Sequence, residues 1–136
     1  MTSTVETHVL REVDYDDWSA LLGRSAEGSV YGSPEYLDAL CSATGGTFRI
    51  LGARKGDELV GGAPLYEERS RGGPFVAPRL LLYYNGPVLA PATSRYPSVR
   101  ASGVIRALDA LARAIEGEGY GRVTFKCRPS LADVRP

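Results

Sequence analysis

Residues 80–91 read LLLYYNGPVLAP, and this stretch most restricts what the chain can build. Leu80, Leu81, Leu82, Tyr83 and Tyr84 run without interruption into Asn85-Gly86-Pro87, and Val88-Leu89-Ala90 begins a second apolar run. A short apolar run closed by turn residues predicts a strand buried on both faces. Asn-Gly supplies the positive backbone dihedrals of a sharp bend, and Pro87 fixes the exit. Such a strand needs cover. A helix-and-hairpin layer is expected before it and a covering helix after it.

The segments before it fit that role. Residues 7–13 alternate as a first strand, and Asp14 reads as the N-cap of a short helix, with Asp17 closing a capping box and Val13 stapling against Trp18. Trp18, Leu21 and Leu22 give that helix its buried stripe, and Gly23 ends it. Ser33-Pro34-Glu35 is a second helix start, followed by Leu37, Leu40, Cys41 and Thr44 on one face and a stop at Gly45-Gly46. Residues 47–54 and 59–67 flank Lys55-Gly56-Asp57-Glu58 as a hairpin. Gly61, Gly62 and Pro64 in its second strand predict a bulge or an edge. Residues 70–78 read as a loop.

After the central run, residues 91–102 form a polar connection. A helix then carries Val104, Leu108, Leu111 and Ile115 inward, with Arg106, Asp109, Arg113 and Glu116 outward. Gly117 and Gly119 close it, and residues 120–127 alternate as a last strand ahead of an irregular tail. The expected order is β-α-α-β-β-β-α-β: an α/β (α+β) domain over residues 1–128, a mixed β-sheet flanked by helices, with 129–136 leading away from it.

Composition adds exclusions. The chain of 136 residues suffices for one core and is short for two. Its 16 basic and 16 acidic residues balance, which argues against a general DNA-binding or anionic-membrane surface. Arginine supplies 14 of the 16 cations, which suits carboxylate or phosphate recognition and equally suits a bias in base composition. Cys41 and Cys127 show neither zinc-ligand spacing nor a disulfide framework, so no metal is expected. The first residues lack the basic and apolar regions of a signal peptide, and no apolar run nears the ~20 residues of a transmembrane helix. A cytoplasmic location is the expectation.

The element order resembles that of GNAT-type acyltransferase domains, and local motifs resemble the FemAB-like branch. Ser29-Val30-Tyr31-Gly32-Ser33-Pro34-Glu35-Tyr36-Leu37 is similar to its "v-(F/Y)-x-S-P-E-(W/Y)-L" helix start. The run from Gly56 through Leu65 is similar to "dgelvGg-P-L", and Tyr84-Asn85-Gly86-Pro87-Val88 to "Y-x-G-P-v". Pro129, Asp133, Arg135 and Pro136 match "P-x-x-x-D-x-R-P", the run that leaves the first of two GNAT-like halves. The resemblance implies acyl or aminoacyl transfer to an amine, from acyl-CoA or aminoacyl-tRNA to a small-molecule or cell-wall precursor acceptor. It also implies that only the acceptor-side half is present here, inactive alone, with a second half or another copy of the chain as partner. A GNAT-like module that binds a partner chain without catalysis is the alternative.

By the same resemblance, Tyr31, Tyr84, Asn85 and Gly86 border the acceptor groove. The donor's phosphates would sit on a "(Q/R)-x-x-G-x-(G/A)" loop, for which Arg100, Ser102 and Gly103 are the candidates, although Ile105 stands where a small residue is needed. A plain helix start capped by Ser98 or Ser102 is the other reading. No base stands out. His8 reads as a surface or edge residue, Glu67 and Glu68 as strand-end charges, and Cys41 as a core residue.

Overall fold

The computed structural model describes residues 4–91 and 96–127. Six strands form one mixed sheet: β1 (Val5–Val9), β2 (Thr47–Lys55), β3 (Glu58–Ser70), β4 (Gly73–Val76), β5 (Val88–Leu89) and β6 (Arg122–Val123). The strand path is β1-β2-β3-β4-β6, with β5 also on β3, and among the described residues only β4 and β6 pair in parallel. Helices α1 (Tyr15–Arg24), α2 (Pro34–Thr44) and α3 (Pro97–Glu116) complete the fold. A mixed sheet flanked by helices is therefore the architecture, with β4 as a strand where residues 70–78 read as a loop.

The pleat of β2 divides the core. Ile50 packs with Trp18, Leu21, Leu37 and Leu40 of α1 and α2, while Leu51 and Ala53 join Leu111 and Ile115 of α3. Successive residues of a strand face opposite sides, so one strand serves both layers. Along β3 the alternation is interrupted. Ala53 pairs with Gly61 and Arg54 with Leu59, leaving Val60 as an extra residue. This bulge lets Leu59 face α1 and α2 while Val60 packs on the α3 side.

Pro64 lies within a strand that has neighbours on both sides, but at Pro64 itself the ladder is made on one side only, a local edge. Its partner across the ladder is Ile50, whose carbonyl accepts from Leu10 N at 2.7 Å and so points away from β3. The missing N–H of Pro64 therefore faces the opposite side, where β5 covers only Gly61–Gly62 and β4 begins only at Glu67. Residues 63–66 face a gap there.

The run at 80–91 departs most from its expectation. Arg79 and Leu82 exchange backbone hydrogen bonds as an isolated bridge, and Leu81 turns through φ +69°. Leu80 is 70% exposed and Leu81 54%, while Leu82 and Asn85 are buried. The β3–β4 hairpin already occupies the sheet position beside 67–70, so the chain turns back over the surface and re-enters only as Val88–Leu89.

Smaller corrections follow local bonding. β1 lies at Val5–Val9, and Glu12–Asp14 is a 3-10 turn. Asp14 precedes α1 without capping it; its carboxylate accepts from Arg11 N at 3.0 Å. That bond holds the Asp14 carboxyl below its ordinary pKa, against desolvation and with help from Arg54. Val13 is 76% exposed, so no staple forms, and α1 runs past Gly23. α2 starts as expected, with Ser33 Oγ accepting from Tyr36 N. On α3, Ala107 rather than Leu108 completes the buried stripe. The last expected strand is a strand only at Arg122–Val123; beyond it Thr124 N still bonds to Val76 O. The expected tail at 129–136 lies outside the described residues.

Trp18 is fully buried, and its indole N–H donates to the Gly32 carbonyl at 2.8 Å. A carbon added to Gly62 would lie 2.4 Å from the indole Cζ3 and 2.8 Å from the Leu51 carbonyl. Gly62→Ala is therefore expected to destabilise the fold by about 1–3 kcal/mol, seen as a lower urea midpoint with unchanged slope. Gly23→Ala, whose added carbon meets nothing within 4 Å, should not lower the midpoint.

Candidate functional site

The gap beside β3 is where the aromatic side chains gather. The 3-10 turn Val30–Gly32 presents Tyr31, whose ring meets those of Tyr36 at 5.3 Å, Tyr83 at 5.7 Å and Tyr84 at 6.0 Å, all edge to face. The Tyr36 hydroxyl donates to the Leu81 carbonyl and ties α2 to the turn at 79–82. Next to Tyr84 lies a water-sized hollow of about 10 Å³, bordered by Glu27, Gly32, Pro64 and Gly86. Ser25 Oγ donates to the Glu27 carboxylate at 3.0 Å and steadies it. Of the predicted residues, Tyr31, Tyr84 and Gly86 come together here. Tyr36, of the Ser33-Pro34-Glu35-Tyr36 motif, and Tyr83, of the apolar run, join them; Glu27 does so without a motif to announce it, because a turn rather than periodicity brings it close.

Asn85 has a different task. It is 2% exposed; its amide donates to the Thr124 carbonyl at 2.9 Å, and its Oδ1 accepts from Lys126 N at 2.7 Å. Its own N–H donates to the Lys126 carbonyl at 3.0 Å. These bonds clasp the segment after β6 in the way a strand partner would. Gly86 permits the approach, since an added carbon would lie 2.6 Å from Cys127 Sγ.

The expected phosphate loop is not a loop. Pro97, with its fixed φ, starts α3 well before Ser102, so Arg100, Ser102 and Gly103 lie inside the helix and the Ser102 and Gly103 N–H groups face along its axis. Arg100 and Gly103 instead line a cleft of about 210 Å³ between α3, the ends of β2 and β3, and the exit from β5.

The acidic candidates are engaged elsewhere. Glu67 accepts from Arg49 Nε at 3.3 Å and Nη2 at 3.4 Å, and Arg49 also donates to Glu118 at 2.8 Å and to the Tyr120 hydroxyl at 2.6 Å. Burial first, and then the hydrogen bond to Glu67, push the Tyr120 phenol up to about 12, against the pull of Arg49. Glu68 pairs with Arg79 at 2.9 Å. His8 is exposed on β1, opposite Gly52. Burial, and then the carboxylates of Asp38 and Glu67, push the Cys41 thiol up, opposite to the shift of an activated nucleophile. Among the described residues no His, Cys, Asp or Glu cluster suits a metal, and no helix is long and apolar enough to cross a membrane.

Two measurements test these assignments. Asn85→Leu should cost about 2–4 kcal/mol by leaving Thr124 O and Lys126 N unpaired, with lost hydrogen-exchange protection at Lys126. For Tyr120, the folded state keeps a proton that the unfolded chain releases near pH 10, so its contribution is complete below that pH and is lost as pH rises through about 12. Tyr120→Phe should flatten the fall of Tm over that window.

No family model and no curated protein matches the chain. Among solved structures it is similar to a ribosomal-protein-alanine N-acetyltransferase from Brucella melitensis biovar Abortus (18% identity, TM-score 0.47, covering 89% of this chain and 78% of that one). It is also similar to a GNAT family acetyltransferase of Staphylococcus aureus (10%, 0.46, 98% and 93%) and to an aminoglycoside acetyltransferase from an uncultured soil metagenomic sample (15%, 0.46, 95% and 83%). With TM-scores below 0.5 these are similarities of outline, and the functional reading stands on the chain's own residues.

Proposed function

We propose that this chain is a GNAT-like N-acyltransferase domain of the FemAB-like type, working in the cytoplasm and supplying the acceptor side of acyl or aminoacyl transfer to an amine. The observation that carries this reading is the convergence of Tyr31, Tyr84 and Gly86 on the gap where β5 and β4 part along β3. The aromatic rings border the gap on which an acceptor would lie, and Glu27 beside them offers a carboxylate to its ammonium group. Loss of that proton has to precede attack on the acyl carbon.

The donor side belongs to another half or another chain in this reading. Two features support that division. Residues 100–103 are helical and present no cradle of free N–H groups, and Glu67 and Glu68 are held by Arg49 and Arg79. Acyl-CoA and aminoacyl-tRNA both remain donor classes. A second reading, a module that binds a partner without catalysis, is favoured by one observation: Val30, Leu80, Leu81 and Tyr83 are exposed around the tyrosine cluster.

Calorimetric titration with a lysine-bearing cell-wall peptide and with acetyl-CoA separates the readings. Acceptor-side function predicts that the peptide binds and that Tyr84→Ala and Glu27→Gln each weaken it about tenfold, near 1.4 kcal/mol. It also predicts neither stabilisation by acetyl-CoA nor transfer. Turnover with acetyl-CoA would overturn the division into halves, and a peptide that does not bind would leave the binding module.

A further inference from the structure

The cleft along the first half of α3 lies apart from the tyrosine cluster and has its own chemistry. Val99, Arg100, Gly103, Val104, Arg106 and Ala107 form one continuous helical face along it, with Gly103 at its middle. A carbon added to Gly103 would meet nothing within 4 Å, so the lining of the cleft has open space at this position. Val60 and Leu89 supply apolar walls, and Lys55, Glu58 and Arg106 stand around them. The side chains of these three form no ion pair with one another or with any other described residue, and together they leave one positive charge in excess. Arg100 also lines the cleft and already has a partner.

We propose that this cleft binds a small monoanionic carboxylate with an aliphatic body, its carboxylate met by Lys55 and Arg106 and its chain seated over Gly103. The apolar walls favour a hydrocarbon body, and the excess of cations favours a negative head group. A cleft of about 210 Å³ leaves room for a short-chain ligand such as hexanoate. The inference does not rest on the acyl-transfer reading, because its ligand is no acyl donor and its test reads no transfer.

Backbone amide shifts of the full chain, titrated with sodium hexanoate, hexan-1-ol and hexylamine, provide the test. Hexanoate should give saturable shifts at Val60, Leu89 and Gly103 in the millimolar range, at least tenfold tighter than either analogue. Arg106→Gln should weaken hexanoate at least fivefold. Gly103→Leu should abolish its binding while keeping or raising Tm, because leucine fills the hollow and favours the helix. Absent or diffuse hexanoate shifts, equal binding by hexan-1-ol or hexylamine, or binding unchanged in both variants would each overturn the proposal.

Discussion

The contact on which most of this molecule depends is the indole of Trp18 laid on Gly62. It holds α1 to the middle of β3 and leaves the sheet no room for a side chain at that point. The same ring donates to the Gly32 carbonyl, which fixes the turn that presents Tyr31. Burial of so large a ring stabilises through its area, while the hydrogen bond adds direction. Core and candidate site are therefore positioned by one side chain, and the aromatic cluster cannot shift without disturbing the sheet.

A second constraint comes from β3. Its bulge at Val60 changes which face the strand presents, and its proline removes a donor on the side where β5 and β4 diverge. A strand with full hydrogen-bonding capacity over 63–66 would leave an unpaired donor at that gap. Pro64 lacks that donor, so the gap is tolerated at this position. Asn85 does the complementary work from the other side, replacing strand pairing with side-chain bonds to 124–126.

Much of this was legible in advance where the signal is local. The Ser33-Pro34 helix start, the Thr47–Lys55 and Glu58–Ser70 hairpin and the bulge follow from caps, turns and glycines whose meaning depends on near neighbours. The run at 80–91 departs from its expectation because an apolar run has the same appearance whether it lies in a sheet or wraps a corner. Leu82 and Val88 are buried, and the leucines between Arg79 and Leu82 are not. Serine and glycine at 102–103 suggest a cap, whereas the helix already begins at Pro97. The local pattern groups Tyr31 and Tyr84 with Asn85 as contact residues; the two rings do meet, while the Asn85 amide bonds the main chain at 124 and 126. That distinction rests on a contact some forty positions away, which no short pattern contains.

The two ends of α3 are held in unequal ways. Leu111 and Ile115 seat its second half on β2 and β3, and Arg49 ties Glu67, Glu118 and Tyr120 into one cluster just beyond its end. Arg49 and Glu67 lie on the same face of the sheet as Leu51 and Leu65, so charge continues the layer where apolar packing stops. In the first half no residue is buried, Ala107 being the first that is, and Gly103 has no side chain to reach the sheet. A glycine inside a helix costs about 1 kcal/mol relative to alanine, so this end is weaker both in packing and in helix propensity. The cleft opens there for that reason, at the end of the helix farthest from its electrostatic anchor.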